Sequence, residues 1–153
     1  MGDRVQLRVG GQLSDGNARR SLFIAGGIGI TPLYAIARQA SAQSGRRAAL
    51  LYSSGTMQEM CFADELREMQ RHSELFLEFS TTREPAGEEE GCSDGRIDDV
   101  KIMRALDWLG VREPEHQDVD VYICGPPQMT DDMIELCKHC NIPLRRINFE
   151  RWW

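Results

Sequence analysis

From residue 20 onward, short apolar runs alternate with longer stretches of helical periodicity. The runs are Leu22–Ala25, Ala48–Tyr52, Leu75–Phe79, Val119–Ile123 and Ile147–Phe149. Continuous apolar runs of this length suit strands buried on both faces. The intervening stretches repeat apolar residues every three or four positions, as amphipathic helices do. Thr31–Ala42 carries Leu33, Ile36, Ala37 and Ala40. Met60–Arg71 carries Phe62, Leu66 and Met69. Asp98–Leu109 carries Ile102, Met103, Leu106 and Leu109, and Gln128–His139 carries Met129, Met133, Leu136 and Cys137. Strands separated by helices form a parallel sheet with helices on both faces. Right-handed crossovers then predict an open doubly wound α/β fold of five parallel strands, ordered 3-2-1-4-5. Glu78 puts a charge in the third run, which marks it as the outer strand.

Composition excludes several other classes. The 153 residues suit a single globular unit. A net charge of -6 argues against a nucleic-acid partner, which needs a basic face. No apolar run approaches the ~20 residues that cross a bilayer. Five cysteines, Cys61, Cys92, Cys124, Cys137 and Cys140, form no secreted disulfide pattern and read as reduced intracellular thiols. Arg4–Val9 alternates like a half-buried strand, and 12–19 reads as a polar linker.

Two turns carry the chemistry. The first run ends in Gly26-Gly27-Ile28-Gly29-Ile30-Thr31-Pro32, and the fourth in Cys124-Gly125-Pro126-Pro127. The expected strand order makes these neighbours at the point where ligands bind doubly wound sheets. Glycines permit positive φ and close approach of a ligand to the backbone. Thr31 suits a helix N-cap and Pro32 the first helical position. The helix N-terminus that follows suits a pyrophosphate. Pro126 or Pro127 can start the next helix at no cost in hydrogen bonds. Cys124 reads equally as a soft neighbour for a nicotinamide ring and as a small buried hydrophobe.

At these residues the chain resembles the ferredoxin–NADP reductase superfamily. The nucleotide domain of that superfamily has a Gly-Gly-x-Gly-x-Thr-Pro turn and a Cys-Gly-Pro-Pro-x-Met turn, here completed by Gln128-Met129. The resemblance covers about residues 20–153. It implies a nicotinamide-dinucleotide partner and hydride transfer to FAD held by an upstream β-barrel domain, then electron transfer to an unknown acceptor. It implies that Gly26, Gly27, Gly29, Ile30, Thr31 and Pro32 surround the pyrophosphate and nearby ribose. Ser53 and Ser54 would face the adenosine ribose, with Pro126 and Met129 along the adenosine side. Cys124, with Gly125 and Pro127, would sit beside the nicotinamide as the catalytic contact. An aromatic near the end, Trp153, would meet the flavin, or would cap the core instead. Residues 1–19 read as a remnant of the barrel plus a linker. Leu51–Ser54, Gly95-Arg96-Ile97, Tyr122–Pro127 and Phe149–Trp153 carry a narrower match within the superfamily, which implies a mitochondrial location.

Ser53–Glu59 contains no Arg or Lys to meet a 2′-phosphate, and Glu59 would repel one. NADH is therefore expected over NADPH, with Arg83 and Arg96 the nearest cations that could reverse this. Cys137 and Cys140 lack a partner pair at zinc spacing and read as packing. His72 and His116 read as solvated. The competing function is a nucleotide-binding regulatory or interaction module without electron transfer. A flavin-free dehydrogenase would need a His or Tyr–Lys acid–base group at the crevice, and none is evident.

Overall fold

The computed structural model describes residues 13, 14, 16, 18–87, 91–111 and 118–152. Six strands form one sheet: β1 (Arg20–Gly26), β2 (Arg47–Ser54), β3 (Leu75–Thr81), β4 (Cys92–Asp94), β5 (Asp120–Gly125) and β6 (Ile147–Arg151). Four helices connect them: α1 (Ile30–Ser41), α2 (Ala63–His72), α3 (Asp99–Leu109) and α4 (Pro127–His139). All pairings are parallel, and the order is β4-β3-β2-β1-β5-β6.

The expected doubly wound order is present, with one strand added at its edge. β4 is too short and polar (Cys92-Ser93-Asp94) to register as an apolar run. It pairs with β3 from Phe79↔Cys92 to Thr81↔Asp94, so Leu75–Phe79 is not the outer strand. Glu78 is also misread by the charge argument, since it is only 2% exposed. Its carboxylate accepts from the Ser93 hydroxyl at 2.9 Å and from Arg104 Nη1 at 3.1 Å. The charge fastens β4 and α3 to β3 rather than facing water.

Alternating side chains feed two cores. On one face Leu22, Ile24, Leu51, Val121 and Ile123 pack against α3 and α4. On the other, Phe23, Leu50, Tyr52, Tyr122 and Cys124 pack against α1 and α2. Cys137 and Cys140 are buried in the first core, as packing requires. Burial pushes the Cys137 thiol up to about 12.

Helix starts differ locally from expectation. α1 begins at Ile30, because the 3-10 turn Gly27–Gly29 runs straight into it. Gly29 is therefore the N-cap, and Thr31 and Pro32 are the second and third helical residues. Pro32 still costs no hydrogen bond there, since the first-turn N–H groups lack intrahelical partners. α2 begins at Ala63, three residues later than the periodicity suggests. Phe62 is its N-cap at φ 62 and stacks on Tyr34, ring centroids 4.6 Å apart, instead of entering the core. Met103, also expected on a core face, is 38% exposed. α3 starts as expected: the Asp98 carboxylate accepts from the Lys101 N–H at 3.0 Å, and Gly110 ends the helix at φ 70.

The strand expected at Arg4–Val9 and the residue His116 lie outside the described residues. Of the linker, Leu13 packs on the α1–α2 core, and the Gly16 N–H donates to the Tyr122 hydroxyl at 2.9 Å.

Candidate functional site

The two glycine-bearing turns meet at the carboxyl edge of β1 and β5. Ala25 pairs with Cys124, so the residues that follow each strand are adjacent. Their glycines serve different ends. A Cβ built on Gly29 would overlap the Cys124 carbonyl oxygen. A Cβ on Gly26 would overlap Met129 Sδ. Gly29 must be bare for the turns to pack, since it meets backbone, whereas at Gly26 the Met129 side chain would have to move aside. Gly27 is the opposite case: it has φ +52, and open space surrounds the place of its missing side chain. Of Gly26, Gly27 and Gly29, it is Gly27 that combines a backbone conformation strained for other residues with room for a ligand.

A groove of about 460 Å³ opens here, on the α3–α4 side of the sheet edge. That volume lies within the range for small-molecule sites. One end is formed by Ser53, Ser54, Gly55 and Glu59 after β2. Its middle crosses Gly26 and Gly27, and its other end meets Pro126 and Met129 at the start of α4. Of the two prolines that could start α4, Pro127 is its first residue, with Pro126 extended before it at ψ 147. Thr130 secures this start: its hydroxyl donates to the Gly125 carbonyl at 3.3 Å and its N–H to Pro126 O at 2.9 Å.

Six of the expected site residues thus line one groove: Gly26, Gly27, Ser53, Ser54, Pro126 and Met129. Gly29, Ile30, Thr31, Pro32, Gly125 and Pro127 shape the turns without lining it. Cys124 is fully buried and faces the α1–α2 core, on the other side of the sheet. Trp152 packs on that core, and its indole N–H, the side chain's single donor, bonds the Cys124 sulfur. The Trp152 backbone N–H donates to Gly125 O at 3.0 Å. Burial pushes the Cys124 thiol up to about 11, against the lowering effect of the Trp152 bond. The thiol is therefore neutral at physiological pH and suits apolar contact rather than nucleophilic attack. Trp153, expected at the flavin, lies outside the described residues.

Thr82, Arg96, Ile97, Gln128, Asp132 and Met133 also line the groove, and the sequence reading gave them no site role beyond Arg96. Gln128, Asp132 and Met133 could have been found by helical spacing, since Asp132 lies one turn beyond Gln128 and Met133 one turn beyond Met129. The backbone at Asp94 and Arg96 is held by Lys101, whose ammonium donates to both carbonyls, each at 2.8 Å. No group of three metal-ligating side chains occurs among the described residues. No helix of the described residues is long and apolar enough to cross a membrane.

Residues 23–135 match the oxidoreductase NAD-binding domain family. The chain belongs to that family. This oxidoreductase NAD-binding domain is 30% identical over 146 residues to the reductase component of propane 2-monooxygenase from Rhodococcus jostii, covering 92% of this chain and 37% of that one. It is 30% identical, over a 171-residue alignment, to oxidoreductase NAD-binding domain-containing protein 1 from Bos taurus, covering 97% of this chain and 52% of that one. The chain thus spans about half or less of the length of these curated relatives. Among solved structures it resembles the cytochrome P450 reductase of Amycolatopsis, with a TM-score of 0.71 and 21% identity over 88% of this chain and 38% of that one. It also resembles the CS-b5R domains of human Ncb5or in an NAD+ form, with a TM-score of 0.70 and 22% identity over 86% of this chain and 36% of that one. The oxidoreductase NAD-binding domain therefore has the fold of the ferredoxin–NADP reductase superfamily, as its two turns imply.

Proposed function

We propose that this domain binds NADH along the groove and positions it for hydride transfer to an FAD held mainly by an upstream domain. The observation that carries the reading is the course of the groove from Ser53 and Ser54 across Gly26 and Gly27 to Pro126 and Met129. It is an elongated site floored by bare backbone where a pyrophosphate would cross. The place of a Gly27 side chain is open space, and no side chain makes a capping hydrogen bond at the start of α1. Such a terminus favours an anion.

NADH supplies a hydride, and the flavin accepts it. The chain's own residues bind and orient. Ser53 and Ser54 offer hydroxyls to the adenosine ribose, and Met129 and Pro126 supply apolar contact beside it. Gly27 and the start of α1 hold the pyrophosphate. Cys124 gives the nicotinamide a neutral, soft surface, so no charge competes at the reacting ring. Glu59 disfavours a 2′-phosphate, which supports NADH over NADPH.

The groove and Cys124 lie on opposite faces of the sheet edge. A dinucleotide that reaches both must cross between Gly27 and Gly125, and Trp152 must leave the Cys124 sulfur. The covered thiol favours a second reading, a nucleotide-binding module without electron transfer. Joining this chain to its flavin-binding partner domain and adding NADH separates the two. Bleaching of the flavin absorbance supports the reductase. NADH binding without bleaching supports the regulatory module.

A further inference from the structure

We propose that Arg83 is a latent 2′-phosphate site, held out of use by Glu59, so that this pair sets which dinucleotide the groove accepts. The inference rests on the dinucleotide reading above and goes beyond it by naming the cation and its lock.

Glu59 lies in the groove wall after β2, and Arg83 follows β3 on the neighbouring loop. Arg83 Nη2 donates to Glu59 Oε1. The second oxygen, Oε2, accepts from the Ser54 hydroxyl at 3.3 Å. Arg83 lies across Gly55, where a Cβ would overlap its guanidinium. Gly55 and Ser54 belong to the end of the groove that the adenosine ribose would occupy. The cation is therefore already at that end, with its donors turned onto a carboxylate. Arg83 holds the Glu59 carboxyl below the usual carboxylate range, so the lock stays charged at neutral pH.

The backbone beneath the pair is fixed. Thr82 N–H donates to Ser54 O at 3.0 Å, and Arg83 N–H to Gly55 O at 2.9 Å. Met57 N–H donates to the Glu84 carboxylate at 2.7 Å. The two loops are zipped together, so freeing Arg83 needs only rotation of its side chain. Both members are substantially solvent-exposed. An exposed ion pair is weakly held, and a guanidinium prefers a phosphate it can meet with two N–H groups. Removing the carboxylate should therefore turn the same arginine from a blocked cation into a phosphate ligand.

The test measures NADH and NADPH dissociation constants for the chain, for Glu59→Gln and for the double variant Glu59→Gln/Arg83→Gln. Amide spectra of each confirm the fold. The expected result is that Glu59→Gln lowers the NADPH-to-NADH ratio of dissociation constants by roughly ten- to a hundredfold, the scale of charge-assisted hydrogen bonds, and that the double variant restores it. A ratio unchanged within about twofold of its starting value in Glu59→Gln, or a gain that survives in the double variant, overturns the proposal while NADH binding stands. Loss of all NADH binding by the unaltered chain overturns the underlying reading as well.

Discussion

Gly29 faces the Cys124 carbonyl so closely that no β-carbon fits between them. The contact joins the turn after β1 to the end of β5 and brings the two halves of the site together.

Gly29 has φ -61, which any residue adopts, so its constraint is purely steric. Gly29→Ala must push the β1 turn off β5 and should cost about 2 kcal/mol or more. Gly27→Ala meets no atom but must hold φ +52, and should cost about 1–2 kcal/mol. Chemical denaturation measures both. The account also expects Gly29→Ala to weaken NADH binding, because it displaces Gly27 with it. An alanine at position 29 as well tolerated as wild type contradicts the contact.

The Trp152 indole bonds the Cys124 sulfur and packs on the same core, so Trp152→Ala should speed alkylation of Cys124 at mildly alkaline pH by at least about tenfold. Mass spectrometry of labelled peptides reads each cysteine separately. Cys61 is exposed and should label first in both proteins, while Cys137 stays protected. Equal Cys124 labelling rates with and without the indole would show that another group shields the thiol.

Alkaline pH should destabilise the fold. Desolvation raises Cys124 from 9.0 to about 11 and Cys137 from 9.0 to about 12, and raises Cys140 as well. Tyr52 rises from 10.0 to about 12 for the same reason. A group with a raised folded pKa stabilises fully below its unfolded value and loses that contribution as pH climbs toward the folded one. Denaturation midpoints should therefore hold from pH 7 to about 9 and fall between about 9 and 12. Midpoints that stay level to pH 11 would contradict the burial of these thiols.

Glu78→Ala should loosen the sheet edge. It removes the acceptor of both Ser93 and Arg104, at a cost of about 1–2 kcal/mol. Its signature is local: the Gly95 amide, which bonds Thr81 O at 2.8 Å, should exchange faster than amides of β1. Uniform acceleration across the sheet would mean that the carboxylate supports the whole fold and not β4.

Strand order was legible, and helix phase too apart from Phe62 and Met103, because five strands and four helices announce themselves by their apolar patterns. β4 was not, since a three-residue polar strand has no period to read. Glu78 misled for a related reason. A charge in a strand looks exposed until its partners, Ser93 and Arg104, arrive from other elements. The site was half legible. Glycine spacing located the turns, yet it could not show that Gly29 packs on backbone while Gly27 faces open space. Nor could the sequence show that Cys124 points to the face opposite the groove. That follows from strand register, which places Cys124 with Phe23 and Tyr122.

The most direct test of the dinucleotide reading is a titration of the isotope-labelled chain with NADH, followed by amide shifts. The account predicts saturable shifts at Gly26, Gly27, Ser53, Ser54 and Met129, with β4 and the outer face of α2 silent. No shift at millimolar NADH, or shifts confined to residues away from this groove, would contradict it.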